Sequence, residues 1–450
     1  MKRVFIKNAL IINEGRSFQG SVVIEGEKIV EILEGKQEGS SACGAYEETI
    51  DAEGCLLLPG VIDCHVHFRE PGLTYKADIS SESKAAVAGG VTSVMDMPNT
   101  NPQTITVDAL NKKFNEMGNK SLVNYSCYFG ATNDNYTEFK HLDARRVCGV
   151  KVFMGSSTGN MLVDNIESLR HIFGATDILI AAHCENQTVI ERNIEQYKAE
   201  VIHGDLPVAY HSRIRSTEAC YQSSRLAVCL AGESGARLHL LHITTSKELE
   251  LLNDSPLKHK RITAEVCIPH LLFTSADYSR FGSKIKCNPA IKESSDRDAL
   301  RAGVNSGLID VIATDHAPHL LSEKEGGALK AASGMPMVQF SLISMLQLVD
   351  EGVFTVEEVV RKMCHAPAEI YKICNRGYIR PGYQADLVLV KPIQWTLTNG
   401  DIFSKCKWSP LEGQTFNHRI DKTFVNGCLV YSGGQIDETH RGQELRFGTL

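Results

Sequence analysis

Asp63-Cys64-His65-Val66-His67-Phe68-Arg69 is the stretch on which the fold turns. Side chains of a strand alternate between its faces, so Asp63, His65, His67 and Arg69 point the same way. Two imidazoles one pleat apart can grip a single metal ion. Asp63, one pleat deeper, is placed to fix the orientation of His65. A bare H-x-H pair also arises as two satisfied core histidines, so its weight depends on its setting. At the exit of a barrel strand, with Asp before and Arg after, the metal reading prevails.

The surrounding sequence supplies that setting. Eight apolar segments punctuate the middle of the chain, at 61–68, 92–99, 123–130, 149–155, 177–186, 236–245, 262–272 and 311–319. Several gaps between them carry helical patterns, as at 78–88, 164–173, 217–230 and 296–305. Strand–helix repetition with a count of eight predicts an α/β chain folded as a (β/α)8 TIM barrel over 56–374. Residues 1–55 and 375–450 read instead as short strands with polar turns. Asn426-Gly427 between apolar runs is a hairpin signal. Ile6-Lys7-Asn8-Ala9-Leu10-Ile11 also echoes Phe424-Val425-Asn426-Gly427-Cys428-Leu429. Both termini are therefore expected to build one small composite β-sandwich domain beside the barrel.

In such a barrel reactive residues sit at the C-terminal ends of the strands. Strand four supplies Lys151 there, strand five His183, strand six His242 and strand eight Asp315. Singly, each has a plain explanation: a polar residue at a strand exit, a helix cap, a lysine reaching for solvent. Together with His65 and His67 they make four imidazoles, a carboxylate and a lysine on one rim. An ammonium ion repels metal, and that conflict disappears if Lys151 is carbamylated by CO2 and bridges two ions as a carboxylate. Its setting among Val150, Val152 and Phe153 favours the neutral amine that this reaction requires.

Composition narrows the alternatives. The 450 residues carry 47 Lys plus Arg against 54 Asp plus Glu, a net charge of −7, which argues against nucleic-acid binding. A hydrophobic content of 43% suits a large core rather than disorder. No apolar run approaches the roughly 18 residues of a membrane span. Lys7 and Asn8 end the opening apolar stretch too early for a signal peptide, so an uncleaved cytoplasmic protein is expected. Fourteen cysteines form no C-x-x-C pair. Single placements inside apolar runs, such as Cys229, Cys267 and Cys374, predict buried reduced thiols.

These residues, in this order, resemble the amidohydrolase superfamily, and within it the dihydroorotase family. The likeness runs from the N-terminal strands to Gly377-Tyr378-Ile379-Arg380-Pro381-Gly382 and the returning strands. It rests on Asp63-Cys64-His65-Val66-His67-Phe68-Arg69-Glu70-Pro71-Gly72, on Met97-Pro98-Asn99-Thr100 and on Thr314-Asp315-His316-Ala317-Pro318-His319. Hydantoinases and dihydropyrimidinases are similar but usually lack the Arg after H-x-H-x and the D-H-A-P-H. Allantoinases tend to carry Asn in place of Arg69. The resemblance implies two zinc ions: His65, His67 and Asp315 hold one, His183 and His242 the other, and carbamylated Lys151 and a hydroxide bridge them. It implies that Asp315 is also the catalytic base and acid, and that Arg69, Asn99 and His319 bind a substrate carboxylate. Asn288 would contact the ring amide. The implied reaction interconverts dihydroorotate and N-carbamoyl-L-aspartate in pyrimidine biosynthesis. Its partner is a small molecule, with neither nucleic acid nor membrane, and a homodimer is compatible with it.

Two segments depart from the family pattern. Met154-Gly155-Ser156-Ser157-Thr158-Gly159 stands where many bacterial relatives carry Asp-Asp-Gly with an aspartate on the metals. Gly334-Met335-Pro336-Met337-Val338-Gln339 replaces a G-x-x-G-x-E-T pattern after strand eight. Three rival readings remain. Gly155 to Gly159 fits the G-x-S-x-G of a serine esterase with Ser157 as nucleophile, which leaves the converging histidines unexplained. His183-Cys184-Glu185 fits the H-x-E of a zinc deaminase, but no P-C-x-x-C accompanies it. A catalytically dead scaffold would be expected to lose metal ligands, and none is missing.

Overall fold

The computed structural model describes residues 2–35, 46–155 and 161–448. Eight parallel strands form the barrel: Val61–Val66, Val91–Asp96, Asn124–Cys127 continued by Phe129–Gly130, Val150–Phe153, Ile180–His183, Leu238–Leu240, Ile262–Cys267 and Val311–Ala313. Consecutive strands pair from the first to the eighth, the third reaching the fourth through Phe129–Gly130. The ring closes where His67 N–H donates to His316 O at 2.7 Å and Val66 bridges His316. The architecture is thus a TIM barrel with a β-rich domain built from the chain ends.

Local sequence explains the helices between the strands. Asp78 caps Ile79–Ala88 by accepting from Ser81 N–H, and Asn165 caps Ile166–Gly174 in the same manner. Gly235 ends Thr217–Ser234 in the left-handed conformation, φ +73°. That helix buries Ala219, Cys220, Ser223, Ser224, Ala227, Leu230 and Ala231, one stripe at three- and four-residue spacing. Cys229 falls off the stripe and is exposed, and Cys374 is exposed as well, so the expectation of burial was wrong for both. Cys267 is buried on its barrel strand, and no disulfide forms among the described residues.

Nine strands from the two chain ends share one sheet: Arg3–Asn13, Arg16–Glu25, Lys28–Glu34, Glu48–Asp51, Leu56–Pro59, Leu387–Lys391, Arg419–Val425, Cys428–Ser432 and Gln435–Ile436. Leu56–Pro59 is its central link, pairing with both Arg3–Asn13 and Leu387–Lys391, so the sheet runs past residue 55. Strand alternation divides its side chains. Ile6, Ile11, Leu57, Leu387 and Phe424 form a separate apolar core, whereas Ile12, Leu58, Val388 and Val425 join the main core that surrounds the barrel. Asn426 and Gly427 turn the hairpin between Arg419–Val425 and Cys428–Ser432 at φ +50° and +74°. No helix among the described residues is long and apolar enough to cross a membrane.

Candidate metal centre

All ten residues expected at the site line one cavity of about 380 Å³: His65, His67, Arg69, Asn99, Lys151, His183, His242, Asn288, Asp315 and His319. They come from the C-terminal ends of barrel strands or the loops that follow, which is where a parallel barrel converges its reactive groups. A larger cavity of about 1150 Å³ adjoins it and shares Arg69, Asn99 and His319. Three site residues hold left-handed backbone: Arg69 at φ +66°, His242 at +37° and Asp315 at +48°. That conformation costs a non-glycine residue about 1–2 kcal/mol, a strain that clusters at functional sites.

The histidine tautomers are set from behind. His65 Nδ1 lies 2.5 Å from Glu265 Oε1 and His67 Nδ1 lies 2.7 Å from Asn99 Oδ1. Carboxylate and amide oxygens only accept, so both Nδ1 atoms carry the proton and both Nε2 atoms present lone pairs. Those lone pairs meet Asp315 Oδ1 at 3.2 and 3.0 Å. His183 repeats the logic on the facing side. Its Nε2 donates to Glu185 Oε2 at 3.0 Å, so its Nδ1 lone pair faces His242 Nε2 at 2.8 Å. His242 Nδ1 is buried without a partner. Where His65 Nε2 and His67 Nε2 meet Asp315, the converging lone pairs repel unless a cation lies between them. The donor set of His65, His67 and Asp315 therefore fits a metal ion, and His183 and His242 face each other in the same cavity.

Electrostatics agree. Burial would raise the Asp315 carboxyl, but positive charge placed beside it by His65 and His67 outweighs this and holds it well below the usual range. Burial drives His67 down to about 4 and His242 well below its ordinary value, so both rings are neutral at pH 7, the form that can ligate a metal. Burial would also raise Glu185, yet Arg215 and His183 hold it at about 2. Lys151 is buried, with Nζ 4.5 Å from the centre of the Phe153 ring, and desolvation lowers it to about 8.

The carboxylate behind His65 differs from the one expected. Asp63 does not touch the imidazole: it accepts from the Thr314 hydroxyl at 2.5 Å and from the backbone N–H groups of His65 and Thr314. It ties strand one to strand eight, and Glu265 on strand seven orients the ring. A charged residue in the middle of the apolar run 262–272 was the available signal, and sequence reasoning missed it. Asn99 is likewise engaged with His67 through its Oδ1, and Asn288 Oδ1 accepts from His211 Nε2 at 3.1 Å. Ser157 lies outside the described residues. Glu185, the acid of the H-x-E pattern, is committed to Arg215 and His183.

At the cavity edge Arg69 is buried and donates its Nε to Pro318 O at 3.0 Å. Lys76 Nζ donates to His319 Nδ1 at 3.1 Å, which leaves the proton on Nε2, and Nε2 donates to Ser333 O at 3.0 Å. Arg69 Nη2, 3.0 Å from the same Nε2, is then a contact without a hydrogen bond, because a guanidinium only donates. Lys76 is a second residue that the sequence reading did not single out.

Similarity to known proteins runs along most of the chain. The Amidohydrolase family model matches residues 56–430. A dihydroorotase of Lactobacillus johnsonii is 32% identical over 437 residues, covering 95% of this chain and 99% of the relative. An allantoinase of Bacillus velezensis is 30% identical over 456 residues, covering 99% and 97%. Among solved structures, the L-hydantoinase of Arthrobacter aurescens superposes with a TM-score of 0.90 at 27% identity, covering 97% of each chain.

Proposed function

The chain belongs to the amidohydrolase family, and on that footing we propose that it is a dihydroorotase, opening dihydroorotate to N-carbamoyl-L-aspartate and closing it in reverse. The observation that carries this reading is the buried Arg69 guanidinium at the edge of the metal cavity. A buried cation calls for an anion, and its planar fork matches a carboxylate. Dihydroorotate bears a carboxylate beside its cyclic amide. Hydantoin, dihydrouracil and allantoin rings bear none.

Under this reading His65, His67, Asp315, His183 and His242 would hold two zinc ions, with Lys151, carbamylated, as a further ligand. Such ions polarise an amide carbonyl and make hydroxide available near neutral pH. The protein's own groups do the rest. Arg69 binds the carboxylate, with His319 packed beside it, and so fixes which face of the ring meets Asp315. Asn99 holds the tautomer of His67, and the Asn288 amide group reaches the ring. Asp315, ionised throughout the neutral range, accepts the proton of the attacking water. As the C–N bond breaks, it returns that proton to the departing nitrogen. The reverse order closes the ring.

A second reading, a hydantoinase-type cyclic amidohydrolase, draws on the TM-score of 0.90 to an L-hydantoinase. Fold similarity carries less weight than the site, because one fold hosts many substrates. Rates with dihydroorotate, hydantoin, dihydrouracil and allantoin, with metal content assayed on the same sample, separate the two. Dihydroorotate is expected to be turned over at least 100-fold faster than the other three. A faster rate on a ring without a carboxylate would overturn the assignment.

A further inference from the structure

Lys324 is buried to 2% exposure, and no role described above uses it. Its ammonium group donates to three main-chain carbonyls, Lys286 O at 2.9 Å, Ala332 O at 2.6 Å and Gly334 O at 2.8 Å. An ammonium has three protons, so its capacity is filled, and three hydrogen bonds offset part of the cost of removing it from water, although burial still lowers Lys324 to about 7. The acceptors belong to two different segments. Lys286 lies in the loop after strand seven, two residues before Asn288. Ala332 and Gly334 lie on the returning arm of the loop after strand eight and flank Ser333, and all three line the metal cavity.

Other contacts converge on the same junction. Gly334 N–H donates to Lys286 O at 2.9 Å, and Lys286 Nζ donates to Ala331 O. Gly334 sits at φ +130°, where a Cβ would meet Ala317 O at 2.7 Å, so the arm lies tight against the strand-eight exit. The indole of Trp408 lies beside Lys324, with Nζ 6.0 Å from the ring centre, and its Nε1 donates to His319 O at 2.7 Å.

We propose that Lys324 is a positioning residue for substrate recognition: it clamps the loop after strand eight to the loop after strand seven, and so fixes Ser333, His319 and Asn288 at their working distance. The clamp touches neither the metal ligands nor the reacting atoms. It acts on substrate binding. This rests on the cyclic amidohydrolase reading above, and it is measured on whichever cyclic amide the wild-type enzyme opens.

The test compares Lys324→Met and Lys324→Arg with wild type in the metal-loaded enzyme. Lys324→Met is expected to raise KM at least tenfold with kcat within threefold and metal content unchanged, and Lys324→Arg, which keeps a cation and donors, to recover part of the loss. Gly334→Ala displaces one acceptor without touching the lysine and is expected to show the same split, which keeps the proposal testable if Lys324→Met does not fold. The chain has two tryptophans, so a Trp395→Phe background leaves Trp408 as the sole indole reporter. Its emission should shift on titration with the ring-opened product, and the half-saturating concentration should rise tenfold in the Lys324→Met background. KM within twofold of wild type in both Lys324→Met and Gly334→Ala, or a loss confined to kcat, overturns the clamp. A wild-type preference for rings without a carboxylate overturns the dihydroorotase reading and leaves the KM ratio to decide the clamp.

Discussion

His65 Nδ1 and Glu265 Oε1 lie 2.5 Å apart, although 200 residues separate them in the chain. Glu265 is fully buried and also accepts the backbone N–H of His242 at 3.2 Å, so one carboxylate stands behind a residue of each ligand group. Carboxylates in this position fix the ring and raise its basicity. Glu265→Ala is therefore expected to weaken metal affinity by about 10- to 100-fold. Competition with a chromophoric chelator measures it, and unchanged affinity would contradict the role.

Burial lowers Lys151 to about 8, so near pH 8 half of it is the neutral amine that reacts with CO2. Metal-stripped protein should regain activity with zinc faster when bicarbonate is present, and faster at pH 8.5 than at pH 7. Intact-mass analysis should show one added CO2 that Lys151→Met lacks. Full recovery in CO2-free buffer, with an unmodified mass, would count against a carbamate.

Arg69→Lys keeps the charge and loses the fork. A hydrogen bond to a charged partner is worth about 1.5–3 kcal/mol, so KM for dihydroorotate should rise about 10- to 100-fold. The same variant should change KM for hydantoin by less than threefold. Equal losses on both rings would show that Arg69 acts on the backbone it strains rather than on a carboxylate.

Alkaline stability follows from the buried thiols. Cys64, Cys148, Cys220 and Cys267 are pushed well above the ordinary thiol value by burial, and Cys127, Cys184 and Cys287 up to about 12. Above pH 8.5 or so the unfolded chain loses these protons while the fold keeps them, so each group removes about 1.4 kcal/mol of stability per pH unit. Lys151, Lys286 and Lys362, lowered to about 8 by burial, and Lys324, lowered to about 7, act in the opposite direction between about pH 7 and 10. Seven thiols outweigh four lysines. The melting temperature in reducing buffer should fall steadily from pH 9 to 10.5, and a flat or rising profile would refute this balance.

Much of the site was legible in the chain because its signals are local. H-x-H at 65 and 67 needs only the two-residue strand period, and His183, His242 and Asp315 need only a strand exit. Helical patterns at 78–88, 164–173, 217–230 and 296–305 fold as Ile79–Ala88, Ile166–Gly174, Thr217–Ser234 and Ser294–Ser306. Asp63 was misread because alternation places a side chain on a face without naming its partner, and Thr314 on the adjacent strand takes the carboxylate. Cys229 was misread because an apolar run in a helix spreads over the whole circumference, and one stripe alone meets the barrel.

The sequence alone determined the barrel and the terminal strands, which follow from periodicity within a few residues, and it marked His65, His67, Lys151, His183, His242 and Asp315 as candidates at strand exits. Tertiary structure decided what stands behind the ligands: Glu265 on His65, Glu185 with Arg215 on His183, Lys76 on His319 and Lys324 across two loops. Those pairings depend on the register of neighbouring strands and on how far each loop folds back. A buried charge is then held by whichever distant acceptors that geometry delivers, and local pattern carries no record of them.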